Sequence, residues 1–193
     1  MRPAPHPVLV MPPGAARLDL RRPGASWLDA GTPWTIGAYG EDRGIYTQAL
    51  FAGARTVHLG LDLGGPEGVA VHSPLDGEVL HAGYNPAEGD YGYTVVTRHR
   101  LPADPGRAVH LLFGHLSAAS LGRSPVGRRV GRGDVLGWLG GPSENGGWPP
   151  HVHVQLCWDD PGRPDLPGAA PRAEAEAWMA RFPDPEAVLG PLR

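Results

Sequence analysis

From residue 57 onward the chain carries a series of short apolar or alternating segments, at 57–63, 69–71, 77–81, 93–99, 109–114, 135–139 and 152–157. Each is too short for an amphipathic helix and the right length for a strand. Glycine, proline, asparagine and aspartate gather between them, at 64–68, 85–86, 102–106 and 140–143, and mark turns. Short strands separated by tight turns predict a mainly β fold of antiparallel sheets, a sandwich or a barrel. One stretch departs from this rhythm. After Pro171 the residues Ala175, Trp178, Met179 and Phe182 recur at helical spacing, which predicts a C-terminal helix laid on the sheet and stopped by Pro183-Asp184-Pro185. Residues 1–45 are rich in proline and glycine yet hold Trp27, Trp34 and Tyr39. They are too aromatic for a free linker and too irregular for a helix, so an arm packed on the domain is expected. The organisation expected is therefore an arm over 1–45, a β domain over 46–160 and a helical extension over 161–193.

Composition narrows the partners. With 193 residues the chain can bury a single core without disulfide staples. The net charge of −3, with arginine scattered along the sequence, offers no basic stripe that would follow a phosphate backbone, so nucleic acid is not an expected partner. The apolar run at 8–11 is broken by prolines, and no stretch approaches the length of about 18 residues needed to span a bilayer. The expectation is a protein without a membrane segment, cytoplasmic as the sequence stands and extracytoplasmic if a leader has been removed.

Candidate chemistry begins with His151-Val152-His153, which follows the stiff stretch Gly146-Gly147-Trp148-Pro149-Pro150. On a strand these histidines project from the same face with backbones about 6.6 Å apart. Far upstream, His58 stands four residues before Asp62. Zinc takes imidazole nitrogen and carboxylate oxygen, and catalytic zinc sites use three protein ligands. His58, Asp62 and one histidine of the pair make three. Four residues of straight strand span about 13 Å, too far for His58 and Asp62 to share an ion. Gly60, midway, is where a kink is cheapest. Cys157, the only cysteine, has the parity of a fourth ligand, but packing as a small apolar group is the preferred reading.

Five motifs in order now spell out a family: His58-Leu59-Gly60-Leu61-Asp62; Ser73-Pro74-Leu75-Asp76-Gly77-Glu78-Val79; Phe113-Gly114-His115-Leu116; the glycine-rich Val130-Gly131-Arg132-Gly133 with Leu136-Gly137; and His151-Val152-His153. Together they resemble the lysostaphin/LytM-like zinc metallopeptidases, family M23. The resemblance implies a barrel-sandwich hybrid with an active-site groove and one zinc ion per chain. It implies further that His58, Asp62 and His153 bind the metal while the catalytic pair His115 and His151 stand beside it. Such a metal would polarise a scissile carbonyl and acidify water, and the free imidazoles would share the duties of base, acid and oxyanion stabiliser. The substrate implied is a peptide, or a peptidoglycan-type cross-link. Without the resemblance, His115 reads as a histidine closing the strand at 109–114.

Departures from the family pattern lie around the cleft. Ser143-Glu144-Asn145-Gly146-Gly147-Trp148-Pro149-Pro150 stands where many members have Gly-x-Ser-Thr-Gly, and Gln155 replaces a glutamate. Asp90-Tyr91-Gly92 and the run from Asn145 to His151 are similar to a branch of M23-like domains fused to aminotransferase and kinase-like domains. Tyr46 is read as a packed tyrosine, with a second reading as an oxyanion donor. His6, His72, His81 and His110 fit no ligand spacing, and His99 is read as structural. A non-catalytic M23-fold scaffold that binds peptides is the alternative function. A biotin- or lipoyl-carrier reading of 71–79 fails because the chain has no lysine to modify. A cupin reading fails because its glutamate ligand has no counterpart before Glu174.

Overall fold

The computed structural model describes residues 4–101, 104 and 106–193, so residues 102, 103 and 105 of the expected turn at 102–106 lie outside the described residues. In chain order the strands are β1 (Ala16–Arg17), β2 (Thr35–Gly37), β3 (Arg55–His58), β4 (Leu61–Gly64), β5 (Ala70–His72) and β6 (Gly77–Asn85). They continue as β7 (Gly92–Arg100), β8 (Ala108–Leu116), β9 (Arg129–Val130), β10 (Val135–Trp138), β11 (His151–Cys157) and β12 (Ala169–Pro171). Eight of them form one sheet in the order β1-β2-β4-β11-β8-β7-β6-β9, while β10 pairs with β5 and β12 with β3. All pairings but the short parallel β1·β2 contact are antiparallel. This is the mainly β arrangement that the alternation predicts.

The two faces of the central strands do different work. Leu61 and Leu63 of β4, Leu111 and Phe113 of β8, and Val152, Val154 and Leu156 of β11 share the main apolar cluster. Strand parity then sends Asp62, His151, His153 and Gln155 to the other face. Further along that face lies a second apolar cluster of Val57, Leu59, Tyr91, Val96, Leu112, Cys157 and Phe182, among others. Cys157 packs there as a small hydrophobe, and burial pushes its thiol pKa up.

Several elements differ from the sequence expectation. The segment 57–63 is two strands rather than one, because the chain leaves β3 after His58 and resumes pairing only at Leu61. Strand β6 runs to Asn85 with a register shift between Val79 and His81, so His81 lies mid-strand rather than near an end. Residues 1–45 supply β1 and β2, which extend the sheet beyond β4. The helix α2 (Ala175–Arg181) follows a 3-10 turn over Arg172–Glu174 and packs Trp178 and Met179 on the second cluster. Two further five-residue helices appear, α1 (Ala119–Arg123) and α3 (Pro185–Leu189). Pro183-Asp184-Pro185 stops α2 as expected, but it also starts α3. The Asp184 side chain accepts the Glu186 N–H at 2.9 Å, with Pro185 in the first turn. No helix among the described residues is long and apolar enough to cross a membrane.

Candidate metal centre

Strands β4 and β11 pair so that Asp62 lies directly opposite His153. The break at Leu59 and Gly60 turns His58 back toward them, and three side chains from two distant parts of the chain converge. His58 Nε2 lies 3.0 Å from His153 Nδ1 and 3.2 Å from Asp62 Oδ1, and His153 Nδ1 lies 3.0 Å from the same oxygen. Ligand atoms held about 2.0–2.1 Å from zinc at tetrahedral angles lie about 3.3 Å apart. The donor triangle is thus close to zinc size before any adjustment. Among the described residues it is the one cluster of at least three His, Cys, Asp or Glu with ligand atoms this close.

Each donor is aimed by a partner on its far side. His58 Nδ1 donates to the Ala38 carbonyl at 2.9 Å, which leaves the Nε2 lone pair pointing inward. His153 Nε2 donates to Gln155 Oε1 at 3.0 Å, which leaves Nδ1 for the triangle. Gln155 in turn accepts from the Tyr91 hydroxyl at 3.1 Å and donates to the Pro167 carbonyl at 3.1 Å, so it holds His153 without a charge. Asp62 gives Oδ2 to Arg43 Nη1 at 2.7 Å and keeps Oδ1 for the histidines. Burial would raise the Asp62 pKa, but the His58 and Arg43 charges and the histidine hydrogen bonds hold it well below the usual carboxylate range. Burial, followed by the Arg43 charge, pushes His58 down to about 4. At neutral pH His58 is therefore a neutral imidazole and Asp62 a carboxylate, the forms in which each can donate to a metal.

Gly60 does more than kink the chain. A Cβ at this position would sit 2.4–2.5 Å from the His153 ring and 2.9 Å from the Val154 carbonyl oxygen. The ring and the β11 backbone cannot both give way. Gly60→Ala is therefore expected to displace the His153 imidazole and weaken zinc binding by tenfold or more, measured by competition with a chromophoric chelator. Unchanged affinity would show that His153 does not need this position.

His115 reaches the site by a bulge. Along β8, Val109, Leu111 and Phe113 point into the main cluster, and simple alternation would send His115 there too. Between the pairs Val95↔Phe113 and Tyr93↔Leu116 the strand carries one extra residue, and His115 adopts φ +61°. That left-handed conformation strains a non-glycine residue by about 1–3 kcal/mol. The bulge gives the core position to Leu116 and turns His115 onto the opposite face. There its ring lies 4.2 Å from that of His151, centroid to centroid. His115 Nδ1 donates to the Asn145 carbonyl at 2.8 Å and His151 Nδ1 to the Pro149 carbonyl at 2.7 Å, so each keeps a free Nε2 lone pair. His151 Nε2 is 3.9 Å from Asp62 Oδ1. Burial lowers both pKa values, that of His115 farther because His151 and His153 crowd it, so both stay neutral at neutral pH.

A cavity of about 370 Å³ opens over these groups. Residues before β3 form one wall of it, through Trp27, Arg43, Tyr46, Leu50 and Phe51. Tyr46 is both packed and placed on this wall, stacked on Phe51 at 4.2 Å with its hydroxyl accepting from Arg43 Nη1 at 2.8 Å. Arg43, Glu41 and the hydrogen-bonding role of Tyr91 were not anticipated by the sequence reading. The other histidines stand elsewhere. His99 bonds Thr97 and the Asp76 carbonyl, His81 pairs with Asp160, and His6 packs against His72.

The sequence model of Peptidase family M23 matches residues 56–163, more than half of the chain. The chain belongs to peptidase family M23. No curated protein matches it at a significant level. Among solved structures, a zinc-containing peptidase from Vibrio cholerae is 25% identical with a TM-score of 0.43, over 58% of this chain and 32% of that one. A putative M23 peptidase from Pseudomonas aeruginosa is 22% identical with a TM-score of 0.45, over 70% and 45% of the two chains. The catalytic domain of lysostaphin from Staphylococcus simulans is 20% identical with a TM-score of 0.48, over 72% and 90%. The M23 chain thus spans less than half of the first two of these proteins.

Proposed function

We propose that this M23 chain is a zinc-dependent metallopeptidase in which His58, Asp62 and His153 hold one metal ion and His115 and His151 move protons. The observation that carries the reading is the donor triangle with edges of 3.0–3.2 Å, flanked by two imidazoles whose Nδ1 protons are already committed to backbone carbonyls. When bound, zinc supplies Lewis acidity, polarising the scissile carbonyl and acidifying water.

The residues of the chain do the rest. His151 Nε2, the free imidazole nitrogen beside Asp62, is placed to accept a proton from the attacking water, and to return it to the leaving amine. His115, packed on His151, shares the transfer and, once protonated, stabilises negative charge on the carbonyl oxygen. Tyr46 accepts from Arg43, which leaves its own proton for an oxygen in the cavity. The cavity walls of Trp27, Tyr91 and Trp148 suit an extended peptide, and a peptidoglycan cross-link is the substrate proposed first. Asp90-Tyr91-Gly92 and the Asn145–His151 run support a place in the branch fused to larger enzymes.

A library of short peptides and purified cross-linked muropeptides, incubated with the zinc-loaded chain, tests the reading. Cleavage abolished by chelator and restored by zinc is the expected result. Zinc bound at one ion per chain with no bond cut in any peptide or muropeptide would instead support a scaffold that binds peptides.

A further inference from the structure

Arg43, which enters the catalytic scheme only through Tyr46, is 2% exposed and ends inside the site. Three of its contacts are tied down. Nη1 donates to Asp62 Oδ2 at 2.7 Å and to the Tyr46 hydroxyl at 2.8 Å, and Nε donates to Glu41 Oε2 at 3.1 Å. Glu41 is itself anchored, since its Oε1 accepts the Leu20 N–H at 3.0 Å. The rings of Trp27 and Tyr46 lie 5.8 and 5.5 Å from the guanidinium carbon. Behind it, Gly37 leaves the room that the group occupies: a Cβ there would stand 2.6 Å from Nη2 and 3.1–3.2 Å from Asp62 Cβ and Oδ2.

This amounts to a rigid clamp on one oxygen of a metal-binding carboxylate. Asp62 Oδ1 faces His58 and His153, while Oδ2 faces Arg43. A free carboxylate can give both oxygens to a cation, and doing so would take up coordination that a catalytic zinc keeps for water and substrate. A charge-assisted hydrogen bond of 2.7 Å to an immobile guanidinium holds the second oxygen back. Building on the zinc-site reading, we infer that Arg43, braced by Glu41, is a positioning residue that restricts Asp62 to donating a single oxygen. Glu41 also balances the charge. Two carboxylates share the one guanidinium, so it does not repel the incoming cation.

The choice of arginine follows from the geometry. A guanidinium reaches Glu41 through Nε and Asp62 through Nη1 in one plane, whereas an ammonium is a point charge without a fixed fork.

The test uses cobalt(II) as the probe in the full chain, because the intensity of its visible d–d band separates four-coordinate from five- and six-coordinate sites. Metal affinity, from chelator competition, is read on the same samples, and circular dichroism checks the fold. Wild type is expected to show the intense four-coordinate band. Arg43→Met is expected to bind cobalt about 10–100-fold more weakly than wild type, and with a band several-fold weaker as Asp62 turns to give both oxygens. Arg43→Lys, which keeps a buried cation and protects the fold if the Met variant does not form it, should move the band in the same direction by less. A folded Arg43 variant with the wild-type band and the wild-type affinity overturns the inference and leaves Arg43 a structural ion pair. Failure of wild type to bind cobalt or zinc at all would sink the zinc-site reading instead.

Discussion

Asp62→Ala is expected to abolish stoichiometric zinc binding and, in the same molecule, to weaken the metal-free fold. The first effect follows from the donor triangle, in which Asp62 Oδ1 makes two of the three short edges. Two imidazoles remain, and a catalytic zinc site needs three protein ligands. The second effect follows from Arg43. Removing Asp62 leaves a buried guanidinium with one carboxylate where it had two, and breaking a buried pair from one side costs about 3–5 kcal/mol. In a chain of this size each kcal/mol lowers the melting temperature by about 2–4 °C, so the metal-free variant should melt about 10 °C below metal-free wild type. His58→Ala is the control. It removes a donor of the same triangle without orphaning Arg43, so it should lose zinc with a smaller thermal effect than Asp62→Ala. Metal analysis after gel filtration and calorimetry of the chelated proteins give both readings. One zinc per chain retained by the Asp62→Ala/His58→Ala double variant would show that the metal sits elsewhere.

These two effects also mark what could be read from the residues and what could not. Strand parity converts spacing into facing. His151 and His153 were therefore legible as one face, and Gly60 as the break that brings His58 within reach of Asp62. His115 was not legible that way, because alternation along 109–113 sends it into the core. Only the family motif indicated otherwise, and the bulge with φ +61° is the physical reason His115 leaves the core face. Glu41 and Arg43 gave no signal at all. Two charged residues flanking an aspartate among glycines read as solvated loop, and their burial depends on Leu20, Trp27 and Tyr46 folding over them. Strand β9 was missed for a simpler reason: two residues are too few to show a period.

His151→Ala should keep its zinc and lose its turnover. Its Nε2 lies 3.9 Å from Asp62 Oδ1, outside the short triangle, and no other bond of the three donors depends on it. The variant is therefore expected to bind one zinc with affinity within a few-fold of wild type. Loss of a general base lowers kcat by about 10²–10⁴. KM should change little if His151 acts on the proton rather than on substrate binding. His115→Ala makes the comparison informative, because its ring lies 4.2 Å from that of His151, centroid to centroid, and both nitrogens facing the cavity are free. If the two imidazoles pass one proton along a shared path, the double variant will be scarcely slower than the slower single variant, as expected for groups that act as a unit. If they serve separate steps, the losses will multiply. A His151→Ala chain within tenfold of the wild-type kcat, with its zinc in place, would remove His151 from the chemistry and pass the role of base to His115.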